Sequence, residues 1–332
     1  MSSDYAHRWT DKELAALERR IHNVYGDAAK ELREEVDEYF ETLKRRDDEM
    51  RALLAQKKIT EQKYVAWRKA QIGRGQRVER LIDELSERIT AVNGHAMEYV
   101  RDGMAGVYAE NHNYIAYTIE EVHGNVGFTL YDEETVRRLL IADPDLFPAP
   151  SVDIPVDMKW NRTKLQDALI AGIIKGESLD KIADRMMAVT DMTEVAARRN
   201  ARTAYTGAQN AGRQKAMERA AQMGINFRKR WVATKDMRTR HAHGAADGQV
   251  VPFDEPFDVD GHPMMYPGDR NAPGRLVYNC RCTMRTVDPI DEQLGPRQMR
   301  VRNPLTGKNK LVSEMTYAEW KAHHVKEVTR NV

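Results

Sequence analysis

Between Leu14 and Leu43 apolar side chains return every third or fourth residue. Leu14, Leu17, Ile21, Val24 and Ala28 come first, and Leu32, Val36, Tyr39 and Leu43 prolong the stripe with a slight drift. Such a period gives a long helix one apolar face, which must lie along a partner helix. Trp9-Thr10, with Glu13 three residues beyond the threonine and Leu14 after it, combines a capping box with a hydrophobic staple and predicts the helix start at Thr10. After the polar break Gln56-Lys57-Lys58, Ile59-Thr60 and Tyr64 repeat that arrangement. Trp67, Val78, Leu81, Leu85, Ile89 and Val92 then carry a second helix, so the two segments are expected to fold back as a hairpin. Gly73-Arg74-Gly75 lies inside the second pattern, where each glycine costs ~1 kcal/mol relative to alanine, and predicts a kink or short interruption. A stripe of this length exceeds what one hairpin covers, so the hairpin is expected to dock on a protein partner.

Residues 93–160 read as short helices separated by turns, because Asn93-Gly94, Gly103, Gly106, Gly124 and Gly127 and the prolines at 144–155 all break regular structure. Phe128-Thr129-Leu130-Tyr131 is either a short strand or a linker, and the proline cluster marks a domain boundary. A helix from Trp160 to Ile174 ends near Gly176. Ser178 caps a second from Leu179 to Ala188, and Asp191 or Thr193 caps a third that runs to Gly224. The Gly176–Ala183 stretch superficially resembles the start of a helix-turn-helix, but short capped helices joined by a glycine are common in bundles. From Ile225 the period changes to two. Phe227–Thr234, Gln249–Val251 across an Asp-Gly turn, and Leu276–Arg281 are predicted strands.

The fold class is therefore mainly α with a small α+β C-terminal module. The expected segments are a helical hairpin or bundle over 1–123, a linker with short elements over 124–157, central helices over 158–224, the α+β module over 225–287 and a tail over 288–332. Within the tail, Met315-Thr316 and Glu319-Trp320 read as one more capped helix.

Charge separates along the chain although its total is only +1. Residues 194–240 hold twelve Lys/Arg against three acids, +9, while 241–270 hold six acids against Arg270, −5. The basic segment either pairs internally with the acidic loop or contacts phosphates, for which Arg198, Arg199, Arg213, Arg228, Lys229 and Arg230 are the candidates. With 7% aromatic residues and a mean hydropathy of −0.68, one large apolar core is not expected. No apolar run reaches the ~20 residues of a membrane span, and the first seven residues lack the apolar core of a signal peptide, so the chain is expected in the cytosol when made. Two cysteines are too few for a disulfide framework.

The chemistry concentrates between Trp231 and Thr283, in Asp236-x-Arg238, His241-x-His243, Asp247-Gly248 and Asn279-Cys280-Arg281-Cys282. Alternation along a strand places Cys280 and Cys282 on one face, and His241 and His243 share a face if extended. Two imidazoles and two thiolates make a candidate zinc set of His241, His243, Cys280 and Cys282, although both pairs are spaced more tightly than the usual signature. The alternatives are thiols packed as small apolar groups, and a redox role. Cysteine, histidine and Asp236 also supply the residue types of nucleophilic catalysis. No Gly-rich phosphate loop, His-Glu-x-x-His or Gly-x-Ser-x-Gly accompanies them, so no catalytic residue and no required cofactor are expected.

The ordered set Arg202-Thr203, Trp231, Asp236-x-Arg238, His241 or His243, Gly248, Pro267-Gly268 and Asn279-Cys280-Arg281-Cys282 resembles the signature of the phage Mu F-like minor head proteins, the head morphogenesis family. The resemblance covers about residues 160–290. It implies a minor capsid protein of a tailed phage or prophage that associates with the portal protein, the major capsid protein or both, and in some cases with phage DNA. The expected location is the head interior or portal vertex, after the host cytoplasm during assembly, with no membrane association. Some relatives of that family carry a fused toxin domain, for which the 45 residues after 287 are expected to leave no room. An internal head protein that contacts DNA, and a metal-dependent or thiol enzyme, are the alternative readings.

Overall fold

The computed structural model describes residues 4–71, 75–143, 146–147, 150, 152–234, 236–288, 298–302 and 309–313. The expected class holds: helices dominate, with short antiparallel strands toward the C-terminus. Among the described residues no helix is long and apolar enough to cross a membrane.

The N-terminal stripe forms α1, Tyr5–Ala55. It begins before the predicted cap, and the Thr10 hydroxyl lies inside the helix, donating to the Ala6 carbonyl at 2.9 Å. The helix ends where Lys57 takes a left-handed φ of 55°. Thr60 then caps α2, Glu61–Gln71, by accepting from the Lys63 amide at 3.2 Å. α3, Gln76–His123, follows, and the interruption expected at Gly73-Arg74 lies outside the described residues. Of the short helices expected over 93–160 only that at Glu133–Ala142 occurs among the described residues, and none lies between residue 93 and His123. α3 continues through Gly94, Gly103 and Gly106, and the last two are places of close approach, to the side chains of Tyr205 and Glu133, rather than helix ends. Phe128–Tyr131 is not a strand. α4, Glu133–Ala142, is capped by Asp132, and α5, Ile154–Ile174, by Asp153.

Ser178 caps α6, Leu179–Gln222, but that helix runs unbroken through the predicted third cap. There the Thr193 hydroxyl bonds back to the Val189 carbonyl at 3.0 Å, which satisfies it within a continuous helix. Gly224, with φ 84°, follows as the left-handed stop.

In space the chain divides into two compact units assembled from non-consecutive stretches. One comprises 17–99 and 151–198, the other 1–16, 100–150 and 199–332. The first is a helical bundle. Leu32, Val36 and Phe40 of α1 and Val78, Ile82, Leu85 and Ile89 of α3 meet Leu165, Leu169 and Ile173 of α5 and Ile182, Met186 and Val189 of α6. The part of the stripe from Leu32 to Leu43 is thus covered by α5 and α6 of the same chain. Within α2, buried Arg68 reaches Asp47 of α1 at 3.1 Å, and the Tyr64 hydroxyl donates to the same carboxylate at 2.8 Å.

The second unit carries the strands. β1 (Arg228–Val232) is the middle of a three-stranded antiparallel sheet between β2 (Val250–Pro252) and β5 (Thr283–Val287), with Trp231 opposite Met284. A helical turn, α7 (His241–Ala246), occupies the β1–β2 connection, and β3 (Phe257–Val259) pairs with β4 (His262–Met264). The predicted third strand over 276–281 is wrong: Gly274–Val277 forms the helical turn α8, and the strand begins only at Thr283. β6 (Gln298–Arg302) and β7 (Asn309–Ser313) form a separate hairpin. The capped helix predicted around Trp320 lies outside the described residues. Tyr114, Ile115 and Ile119 of α3 and Met217 and Ala220 of α6 pack with Trp231, Phe257, Met264, Leu276, Cys280, Cys282 and Met284 into one core. Helices α3 and α6 come so close that a Cβ on Gly212 would sit 2.3 Å from the Tyr108 carbonyl oxygen.

Candidate functional site

One face of α6 holds the Asn279–Met284 backbone almost residue by residue. Thr203 accepts from the Asn279 amide at 2.9 Å, Thr206 donates to the Cys280 carbonyl at 2.6 Å, Asn210 to the Cys282 carbonyl at 3.1 Å, and Arg213 to the Met284 carbonyl at 2.8 Å. The spacing of three to four residues is the helical repeat, so successive turns of α6 meet successive polar groups of an extended chain. Arg202 adds a bond to the Asn279 side chain at 2.8 Å, and Asn279 itself takes a left-handed φ of 61°, a conformation asparagine tolerates. Gln209 donates to Thr283 at 2.7 Å. Thr206, Gln209 and Asn210 were not singled out in the sequence. Their polar character at helical spacing on an alanine-rich helix was the available signal.

The remaining landmarks tighten the same knot. Asp236 makes an Asx turn onto the Arg238 amide at 2.9 Å and receives both Arg281 guanidinium prongs, at 2.5 and 2.7 Å. The hydrogen bonds from Arg281 hold its carboxyl well below the usual carboxylate range. Arg238 itself is largely exposed. Thr234 donates to the Arg281 carbonyl at 2.7 Å, and Arg240 to that of Tyr278. Gly248, at φ 83°, lets the chain turn back so that its amide reaches the Trp231 carbonyl at 3.0 Å. Gly268, at φ 84°, lies so close to α6 that a Cβ there would come within 3.1 Å of the Gly207 nitrogen. Asn210 completes the tie by donating to the Pro267 carbonyl at 3.0 Å.

At the centre of the knot His243, Cys280 and Cys282 are buried together, their donor atoms within 4.8 Å of one another. Both cysteines are free thiols. The hydrogen bond between them and burial push Cys280 well above the ordinary thiol value, while the same bond, aided by His243, draws Cys282 down. His241 does not join them. Instead of lying on an extended segment, the two histidines occupy α7, where positions two apart point about 200° away from each other. His243 therefore faces the core and His241 the solvent. The thiol–imidazole contact of Cys282 with His243 lacks an orienting carboxylate: Asp236 is committed to Arg281, and among the described residues Nε2 of His243 has no hydrogen-bond partner.

The basic segment is no continuous phosphate-binding surface. Arg213 and Lys229 are fully buried, which removes two of the six DNA candidates from the surface. Arg213 is held by Asp4 and Asn111, and Lys229 donates to Gln214 and the Met265 carbonyl. Of the others, Arg198 pairs with Glu18 and Glu194, Arg199 lies over the Tyr278 ring, and Arg228 donates to the Val250 carbonyl. Arg230 is partly buried.

Comparison with known proteins agrees with the position of this knot. Residues 163–285 match the family described as Phage Mu protein F like protein. Over 324 residues the chain is 26% identical to Minor head protein GP7 of Bacillus phage SPP1, covering 94% of each protein. Over 160 residues, 48% of this chain, it is 34% identical to the NAD(+)--arginine ADP-ribosyltransferase EFV of Enterococcus faecalis, of which it spans only 31%. No solved structure matches the chain significantly. The segment similar to the phage Mu F-like family holds α6 and nearly all of the knot, and the likeness to a minor head protein extends collinearly over nearly the whole of both chains.

Proposed function

We propose that the chain is a minor head protein of a tailed phage or prophage, built into the head during assembly and associating there with the portal and the inner capsid. The observation that carries this reading is the similarity to a minor head protein along almost the whole of both chains, rather than over the family segment alone. The geometry agrees with a structural role. The family landmarks are spent on fixing backbone carbonyls, a turn and a close helix contact, and the thiols are sealed in the core.

The ADP-ribosyltransferase activity named for the second relative belongs to a protein of which this chain spans less than a third, and we infer no enzymatic activity here. DNA contact is the weaker reading, because the basic segment is divided between core ion pairs and partnered surface groups. The test is to purify heads assembled with and without the chain, quantify it by mass spectrometry, and immunoprecipitate it from assembling cells. Its presence in heads at low copy, with portal protein in the precipitate, is expected. Its absence from purified heads would overturn the assignment, and a precipitate with major capsid protein but no portal protein would overturn the portal association.

A further inference from the structure

We propose that His243, Cys280 and Cys282 bind a divalent metal ion of the zinc class, through Nδ1 of the histidine and the two sulfurs, and that this ion locks α7 to the Asn279–Thr283 segment. The sulfurs of Cys282 and Cys280 lie 3.3 and 3.6 Å from the same imidazole nitrogen. A tetrahedral ion with metal–sulfur bonds of about 2.3 Å and metal–nitrogen bonds of about 2.0–2.1 Å holds its N and S ligands about 3.5 Å apart, so the two distances bracket the expected value.

A hydrogen-bonded arrangement explains the geometry less well. Nδ1 has either one lone pair or one proton, so it serves one sulfur well, yet two converge on it. An ion placed where the three donor atoms converge uses all of them at once. Ligation through Nδ1 leaves the proton on Nε2, which has no hydrogen-bond partner among the described residues, and the imidazole instead packs edge-to-face with Trp231 at 5.8 Å. The surroundings are those of a supported ligand set. The Cys282 amide points at the Cys280 sulfur at 3.4 Å, and Thr206 and Asn210 fix the carbonyls of both cysteines. Within the described residues three side chains converge, so the fourth position of the ion falls to a small exogenous ligand such as water.

The experiment uses the full chain, purified without chelator from zinc-supplemented cells. Elemental analysis should find about one zinc ion per chain, and exchange with Co(II) should produce thiolate-to-cobalt charge-transfer absorption. Cys280→Ser and His243→Asn should each lose both signals, whereas His241→Asn should keep them. Metal-free protein that gives no thiolate band with added Co(II) would overturn the proposal, as would loss of both signals in His241→Asn. The Co(II) titration of the unmodified chain decides the matter even if the Cys280 and His243 variants do not fold.

Discussion

Arg213 and Asp4, 209 positions apart, form a two-pronged ion pair with Nη1 and Nη2 at 2.6 and 2.7 Å from the two carboxylate oxygens. The arginine is completely buried and also reaches Asn111 and the Met284 carbonyl, both at 2.8 Å, so one side chain ties together the start of α1, α3, α6 and β5.

Removing it leaves a carboxylate, an amide and a carbonyl without their donor, and breaking a buried pair of this kind costs about 3–5 kcal/mol. Arg213→Ala should lower the urea-unfolding free energy by that amount. Arg213→Lys should recover only part of it, since an ammonium cannot reproduce the planar fork. A loss below about 1 kcal/mol for the alanine variant, the range of surface ion pairs, would show that the network contributes little.

Local signals were legible in the sequence and distant partners were not. Lys57 at a helix end, Thr60 and Ser178 as caps, Gly224 as a stop and the pairing of β1 with β2 each depend on a few consecutive residues, and each is where the pattern placed it. Arg213 and Lys229 read as part of a basic surface because the groups that hold them inside, Asp4 and the Met265 carbonyl, are far away in sequence. The glycines of α3 read as breaks for a related reason, since the Tyr205 and Glu133 side chains that fill the space beside Gly103 and Gly106 belong to other elements. At the candidate site Cys280, Cys282 and one histidine were visible. Which histidine turns inward depended on the connection being helical rather than extended.

Glycine at 212 is set by space rather than by backbone conformation. Alanine there gains about 1 kcal/mol of helix propensity, but its methyl group would meet the Tyr108 backbone at 2.3 Å, and overpacking of this kind costs about 1–3 kcal/mol. Because backbone cannot rotate away, the steric cost should win and Gly212→Ala should be destabilising. Gly94→Ala, with nothing within 4 Å of the added atom, should stabilise by up to about 1 kcal/mol. Paired thermal and urea unfolding of the two variants checks the opposite signs.

His112 should make the fold acid-sensitive. Burial, helped by Arg219 and Lys215, draws its pKa from 6.5 to about 4 against the raising effect of its bond to Asn113, and the ring stacks on Tyr131 at 3.9 Å. The unfolded chain therefore takes up this proton at a higher pH than the folded one. The stability associated with the neutral ring is complete above pH 6.5 and is lost as the pH falls toward 4, in all by about 3 kcal/mol. Unfolding free energies measured across that window should fall more steeply for the native chain than for His112→Gln. Parallel curves would assign the acid response to other groups.

Lys229 should act in the alkaline range. It is fully buried, and burial lowers its pKa from 10.5 to about 8 even though Asp254, Glu218 and Asp269 act to raise it. Below pH 8 both folded and unfolded chains hold the proton, and folding bears the desolvation of the ammonium. Between pH 8 and 10.5 the folded chain releases the proton first, so its stability rises with pH until the unfolded chain has released it too. Lys229→Met keeps the side-chain length and removes the charge. It should flatten this alkaline rise while leaving the acid response of His112 in place, because the two groups titrate in separate ranges. A rise of the same size in the methionine variant would show that Lys229 is not its source.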